Sequence, residues 1–326
     1  MISQEDIFQI SSKKEFEKIT LKVFRHQYDN NFVYQQFCNF LKKNKNNVKS
    51  LTEIPFLPIQ FFKSHNVLSS TEQIQQTFTS SGTTGIQTSK HLVTDVSWYE
   101  MSYRLGFSEF YGNIEDYCVL ALLPSYLERD GSSLIYMVED LIQSSNHSAS
   151  GFYLNNYDEL ISKLIELDDS GQNVILIGVT YALLDLIEKQ KFQLKNTIIM
   201  ETGGMKGKRK EMIREELHSL LCNGFGVSKI HSEYGMTELL SQAYSLGDGI
   251  FECPQWMQIL VRDTEDALTY VSEGKTGGIN VIDLANINSC SFIATQDLGK
   301  KYPNHSFEVL GRFDNSDIRG CNLMIV

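Results

Sequence analysis

Four short segments of this chain carry residue types suited to holding a nucleotide. Thr77-Phe78-Thr79-Ser80-Ser81-Gly82-Thr83-Thr84-Gly85 packs hydroxyls and glycines into one run. Such a run offers N–H and O–H donors on a pliable loop, the donor set that a polyphosphate takes up. No Gly-Lys-Ser/Thr follows, so it is not a Walker loop. The same composition also suits an ordinary surface loop.

Three further segments follow in order. In Tyr234-Gly235-Met236-Thr237-Glu238 the glycine allows a sharp turn, the tyrosine can stack on a base, the threonine offers a hydroxyl, and the glutamate can hold Mg²⁺. In Ala294-Thr295-Gln296-Asp297-Leu298-Gly299 a carboxylate placed at a strand end could accept both ribose hydroxyls. Gly311-Arg312-Phe313-Asp314 then begins a turn whose arginine is expected to be free to face the same nucleotide. Each segment alone also reads as a β-turn; the ordered set says more than any one of them.

The elements that must position these segments follow from periodicity. Ser12 and Glu15 have capping-box spacing, with Phe16, Ile19, Leu21, Val23 and Phe24 on the apolar side of the following turns. A second helix is expected over Phe32–Lys43. Pro55 and Pro58 break the chain before Ile59-Gln60-Phe61-Phe62, read as an extended docking segment. The apolar runs Tyr117–Leu123, Gly151–Leu154, Val174–Val179 and Thr197–Met200 read as buried strands. Helical patterns at Leu134–Gln143, Leu160–Leu167, Ala182–Glu188 and Lys210–Leu221 alternate with them. Strand then helix, repeated, predicts an α/β fold of parallel β-α units. Lys229-Ile230-His231 reads as a strand leading into the Tyr-Gly segment. Beyond Gly235 short strands such as Gly278–Leu284 and Ser291–Thr295 predict a β-rich lobe. The expected layout is a helical segment over 1–75 packed on a main domain over 76–326, α/β to about 235 and β-rich after it.

Composition removes several classes. With 326 residues, 42% hydrophobic and 21% charged, the chain is globular. Its 29 basic against 40 acidic residues give a formal charge of −11, and the best basic cluster is only Lys206-Gly207-Lys208-Arg209-Lys210. A binder of duplex nucleic acid needs a basic face, so no nucleic-acid partner is expected. The six cysteines form no C-x-x-C pair, which argues against zinc ribbons and redox dithiols. The N-terminus lacks the form of a signal peptide, and Val174–Ile187 is too short and polar to span a membrane. The expectation is a reduced, cytoplasmic protein. His91, His147 and His218 have no partner at metal-ligand spacing, and Trp98, Tyr99 and Tyr103 read as helix packing.

The ordered segments resemble the adenylate-forming superfamily, which includes acyl-CoA ligases, aryl ligases and luciferases. Thr79 and Ser80-Ser81-Gly82-Thr83-Thr84-Gly85 are similar to its phosphate loop, and Gly203-Gly204 to the turn beside its adenine and acyl pocket. Tyr234, Gly235, Thr237 and Glu238 are similar to its Tyr-Gly-x-Thr-Glu motif. Asp297 is similar to its ribose-binding aspartate, Lys275-Thr276-Gly277-Gly278-Ile279 to the Gly-rich strand before it, and Gly311-Arg312-x-Asp314 to its hinge motif. Within that superfamily, Pro55 to Lys63, Met200-Glu201-Thr202-Gly203-Gly204-Met205-Lys206 and Ile318-Arg319-Gly320-Cys321-Asn322-Leu323 resemble the acyl-protein synthetases of bacterial bioluminescence fatty-acid reductase complexes.

The resemblance implies use of ATP and Mg²⁺, with Glu238 as the metal residue, to adenylate a carboxylic acid, expected to be a fatty acid. It also implies an acyl group carried on Cys321 for an acceptor or reductase protein. The chemistry is coherent, because a mixed anhydride with AMP gives a carboxylate a leaving group and a thiolate attacks it near neutral pH. Arg319 could lower the thiol's pKa and His231 could assist it; the bland alternative is a buried cysteine in a terminal strand. The superfamily's mobile C-terminal domain is expected to be absent, so its lysine must be replaced by another such as Lys90, Lys206 or Lys208. Alternatives are transfer of the adenylate to CoA, or a catalytically silent nucleotide-binding scaffold.

Overall fold

The computed structural model describes residues 2–80, 88–124, 131–154, 156–203 and 212–313. Among these, the helices are α1 (Gln4–Phe8), α2 (Lys13–Asn30), α3 (Phe32–Phe40), α4 (Phe61–Ser64), α5 (Ser97–Tyr111), α6 (Ser133–Ser144), α7 (Tyr157–Asp169), α8 (Thr180–Lys189) and α9 (Arg214–Phe225). The strands are β1 (Leu57–Pro58), β2 (Gln76–Thr79), β3 (Lys90–Val93), β4 (Cys118–Leu122), β5 (Gly151–Phe152), β6 (Val174–Gly178) and β7 (Thr197–Glu201), followed by β8 (His231–Tyr234), β9 (Ala243–Ser245), β10 (Ile250–Glu252), β11 (Met257–Arg262), β12 (Thr276–Asp283), β13 (Phe292–Lys301) and β14 (Phe307–Arg312). Contacts group the chain into two compact units: Met1–Phe61 with Val67–Ser69 and Gln255–Val326, and Phe62–Asn66 with Ser70–Pro254.

The second unit holds the β-α alternation. β5, β4, β6, β7 and β8 run parallel in that order, and β9 and β10 continue antiparallel. β4 and β6 are buried at every residue, as strands covered on both faces must be. The mixed α/β architecture agrees with the fold expected from the strand and helix alternation. Asp168, at the end of α7, fixes the start of β7: its carboxylate accepts from the N–H groups of Lys195 and Asn196 and from Thr197 Oγ1. β2 and β3 form a separate antiparallel hairpin.

The first unit joins both ends of the sequence. β11, β12, β13 and β14 make an antiparallel meander, and β1 pairs in parallel with β13 at Leu57–Ile293 and Pro58–Ala294. Ser12 caps α2 as its spacing predicts, accepting from Glu15 N–H at 3.3 Å. Phe24 and Tyr34 bring α2 and α3 onto Phe292, with the Tyr34 and Phe292 rings stacked at 5.9 Å. Gln27 Nε2 donates to the carbonyls of Asn286 and Ile287, and its Oε1 accepts from Ser291 N–H. A side chain that spans three backbone groups this way leaves no buried polar group of its own unpaired.

Several local expectations are corrected. Ile59–Phe62 is not wholly extended: Ile59 N–H still bonds to the Ala294 carbonyl, but Phe61 opens the single helical turn α4. Consecutive side chains on a helical turn diverge, so Phe61 meets Phe37 while Phe62 packs edge-on against His91. Helix α3 ends at Phe40 rather than Lys43, because Lys42 takes a left-handed conformation at φ 56°. The strand expected at Lys229–His231 begins two residues further on, over His231–Tyr234.

Candidate active site

The hydroxyl-rich segment begins as a strand. Thr79 is the last residue of β2 and pairs with Lys90, the first of β3, so both stand at the mouth of the loop that joins the two strands. Beyond that pair Ser80 N–H donates to the Ser89 carbonyl at 3.1 Å, and Ser89 N–H donates to Ser80 Oγ at 2.9 Å. Thr79 N–H donates to the carbonyl of Gly131. Thr79, Ser80 and Lys90 are thus brought together, with Lys90 exposed. Ser81, Gly82, Thr83, Thr84 and Gly85 lie outside the described residues, as do Gly204, Lys206, Lys208, Arg319 and Cys321.

The Tyr-Gly segment is the end of β8 and the turn after it. Tyr234 is buried, its ring edge-on to Phe251 at 6.0 Å. Gly235 does not have a positive φ, so the sharp turn expected there is not what needs a glycine. A Cβ at this position would collide with Glu233 Oε1, so the glycine makes room for that carboxyl. Leu239 N–H closes the following turn onto the Met236 carbonyl, and Glu238 within it is 5% exposed. The Thr237 carbonyl accepts from His91 Nδ1 at 2.8 Å. A carbonyl can only accept, so His91 carries its proton on Nδ1. This bond ties β3, directly after the hydroxyl loop, to the Tyr-Gly-Met-Thr-Glu turn.

Gly203 follows β7 with φ 71°. Its N–H donates to Glu201 Oε2 at 2.7 Å, and the other carboxylate oxygen of Glu201 takes Arg214 Nη1 at 2.6 Å. Arg214 Nη1 also reaches Ser232 Oγ at 3.2 Å, and its guanidinium lies over the Phe251 ring. His218 Nε2 stands 3.6 Å from Glu201, close enough for charge attraction and too far for a good hydrogen bond. Burial pushes the Glu201 carboxyl up, but His218 and the Arg214 charge outweigh it and hold the pKa down to about 2. The turn at Gly203 is therefore anchored by a carboxylate that stays ionised.

His231 lies half-buried on β8, its Nδ1 3.3 Å from Tyr111 Oη. Burial, then the charge of Lys229, lowers its pKa to about 4, so the ring is neutral near pH 7. Two residues on, burial and the charge of Glu201 raise the Glu233 carboxyl to about 8.

In the other unit, Asp297 sits within β13 rather than at a strand end, and Arg312 is the last residue of β14 rather than part of a turn. The two residues are cross-strand partners, and Arg312 Nε donates to Asp297 Oδ1 at 3.1 Å. The arginine expected to be free is thus engaged with the aspartate, its side chain 78% exposed. Thr295 Oγ1 accepts from Asp297 N–H. The Gly277-Gly278 pair has a steric reason. Arg262 crosses β12 over Gly278 to reach the carbonyls of Ile279 and Thr295, and a Cβ at Gly278 would lie 2.5 Å from its Cζ.

His91, Glu201 and Glu233 are the functional candidates that sequence reasoning passed over. His91 was set aside for want of a metal partner, yet it is 1% exposed and bonded into the Tyr-Gly turn. Among the described residues no cluster of three His, Cys, Asp or Glu could hold a metal ion, and no helix is long and apolar enough to cross a membrane.

Comparison with known proteins supplies the context. A long-chain-fatty-acid–luciferin-component ligase of Vibrio harveyi is 22% identical over 336 residues, covering 95% of this chain and 87% of the relative. A protein of the same description from Photorhabdus luminescens is 36% identical over 72 residues, 22% of this chain. Crystal structures of adenylate-forming ligases share the fold. A 2-hydroxyisobutyryl-CoA ligase in the postadenylation state superposes with a TM-score of 0.70 at 11% identity, over 95% of this chain and 70% of the ligase. ATP-bound MatB from Rhodopseudomonas palustris gives 0.53 at 18% identity, over 74% of this chain and about half (49%) of MatB. The family model for acyl-protein synthetase, LuxE, matches residues 2–326, and the chain belongs to that family.

Proposed function

We propose that this protein adenylates a long-chain fatty acid with ATP and passes the acyl group to its own Cys321 as a thioester. One observation carries the reading furthest: the His91–Thr237 bond draws the mouth of the hydroxyl loop and the Tyr-Gly-Met-Thr-Glu turn together. Those are the two segments whose side chains suit a nucleotide's phosphates. Thr79, Ser80, Lys90, Gly203, Tyr234 and Thr237 are the described residues proposed to line the nucleotide in this unit. From the resemblance alone, Asp297 is proposed as a ribose-binding residue and Arg312 as a nucleotide contact. Glu238 would hold Mg²⁺, an ion usually bound through one or two carboxylates together with substrate phosphates; bound there, it would offset the charge of departing pyrophosphate.

In the first step a carboxylate oxygen of the acid bonds to the α-phosphorus of ATP, and the bond from that phosphorus to the α,β-bridging oxygen breaks, releasing pyrophosphate. In the second the Cys321 thiolate bonds to the acyl carbon, the anhydride C–O bond breaks, and AMP leaves. Other cysteines are less suited to this role. Burial pushes the thiols of Cys38, Cys118, Cys222 and Cys290 up, that of Cys38 to about 12, so each is held as a poorly nucleophilic thiol. The name of the Vibrio harveyi relative supports a fatty acid as the acid and a protein component as the final acceptor.

Cys321→Ser should leave ATP–pyrophosphate exchange intact while abolishing radiolabelled acyl-enzyme. Retained labelling would remove Cys321 from the reading. Absence of exchange with every straight-chain acid tested would remove the adenylation step itself.

A further inference from the structure

Helix α9 opens on an arginine. The first turn of a helix is its positive end, which favours Asp and Glu and disfavours a cation. Arg214 stands there all the same, with Glu215 and Glu216 after it. Its place is set by the sheet. The parallel register of β7 and β8 puts Glu201 beside Ser232, and Arg214 Nη1 donates to both, at 2.6 Å to Glu201 Oε1 and 3.2 Å to Ser232 Oγ. An arginine that only neutralises a carboxylate commonly grips it with two N–H groups. Arg214 instead shares one nitrogen between two strands, and its buried Nε has no hydrogen-bond partner. The far side of its path is cleared for it. A Cβ at Gly249 would collide with Arg214 Cδ, and Phe251 of β10 lies 5.2 Å from the guanidinium.

Each end of this bridge meets a segment proposed above to line the nucleotide. At one end Glu201 Oε2 accepts from Gly203 N–H at 2.7 Å and so holds the turn that follows β7. At the other, Ser232 lies two residues before Tyr234 on the same strand, and Phe251 meets the Tyr234 ring edge-on at 6.0 Å. Glu201, Ser232, Phe251 and Tyr234 are all buried, and all belong to the same compact unit. Close-packed side chains of this kind pass a displacement on instead of absorbing it.

We propose that Arg214 is a positioning residue for ATP: it fixes the spacing between the Gly203 turn and the Tyr234 ring, and with it the fit of the nucleotide's base. The inference rests on the nucleotide reading above. Dispersion falls steeply with distance, and a gap of roughly 0.5–1 Å forfeits a quarter to a half of a contact's attraction. A bridge that slackens therefore weakens the hold on the base while leaving the hydroxyl loop, on β2 and β3, to hold the phosphates.

The test separates those two parts of the ligand. Wild type, Arg214→Met and Arg214→Lys are titrated calorimetrically with ATP, with adenosine, which has no phosphate, and with inorganic tripolyphosphate, which has no base. Arg214→Met should weaken ATP and adenosine by roughly tenfold, the scale of one base–aromatic stack, and leave tripolyphosphate as in wild type. In ATP–pyrophosphate exchange it should raise the KM for ATP and leave that for the fatty acid unchanged. Arg214→Lys keeps the charge beside Glu201 but lacks the planar fork that reaches Ser232 and lies on Phe251. It should weaken adenosine by a smaller factor, and it keeps the test decisive if the methionine variant does not fold. Wild-type affinity for adenosine in the folded variants, or equal weakening of adenosine and tripolyphosphate, overturns the inference. A wild type that binds ATP and tripolyphosphate but not adenosine overturns it as well. A wild type that binds none of the three overturns the nucleotide reading, and the inference with it.

Discussion

His91 Nδ1 donates to the carbonyl of Thr237 across 2.8 Å, a bond between residues 146 apart in sequence. It links β3, which follows the hydroxyl-rich segment, directly to the turn that carries Glu238. Removing the donor leaves a carbonyl unpaired, at a cost of about 1–3 kcal/mol when that group is buried. His91→Ala should therefore lower stability by that amount in urea unfolding and raise the KM for ATP more than it lowers kcat. His91→Asn, which keeps an N–H donor on a side chain of similar reach, should recover part of both. A His91→Ala protein with wild-type ATP kinetics would show that the bond has no part in positioning.

Gly235 leaves room for the Glu233 carboxyl. Gly235→Ala should cost about 1–3 kcal/mol through overpacking, and the turn after Tyr234 should shift with it. The double variant Gly235→Ala/Glu233→Ala should be less destabilised than the sum of its parts, because the clash is gone. Thermal unfolding of the four proteins in the cycle measures this.

Glu201 gives the structure an acid limit. Its folded pKa, about 2, lies below the ordinary carboxylate value, so its stabilisation is complete above about pH 4.5 and is lost as pH falls through 2. Glu201→Gln removes one partner of a buried ion pair with Arg214 and should destabilise the fold by about 3 kcal/mol at neutral pH. The difference from wild type should shrink steadily between pH 4.5 and 2, which equilibrium unfolding at several pH values would reveal.

Glu233 works in the opposite sense. Its folded pKa, about 8, lies above the unfolded value, so the folded state favours the protonated form and stability falls as pH rises from about 4.5 through 8. Glu233→Gln, neutral at every pH, should be more stable than wild type at pH 9, with the gap closing toward pH 5. Parallel stability curves for the two proteins would rule out a titrating Glu233.

Much of the second unit was legible because its signals are local. β4, β6 and β7 are apolar runs bounded by polar residues, and the Ser12 cap needs only a residue three positions away. The misread positions depend on distant partners. Thr295-Gln296-Asp297-Leu298-Gly299 has the composition of a turn, yet β14 pairs with it and a register shift between Leu298 and Gly299 absorbs the glycine inside a long strand. Arg312 looked available because its neighbours in sequence do not include Asp297, its neighbour in the sheet. His91 looked like a stray histidine for the same reason. A carboxyl with a raised pKa such as that of Glu233 gives no sequence signal, since the shift comes from desolvation in the fold and from the charge of Glu201 on another strand.

The first unit closes only when residues far apart in synthesis meet. Gln27 waits for Asn286, 259 positions later, and Phe24 and Tyr34 have no Phe292 to cover them until β13 has been made. At 5–20 residues per second that delay is on the order of 10 to 50 seconds. During it the apolar sides of α2 and α3 face water or a chaperone, while the uninterrupted stretch Ser70–Pro254 can complete its own core. Expression failures in this protein should therefore trace to its amino-terminal helices rather than to its parallel sheet, and slowing translation after residue 61 should aggravate them.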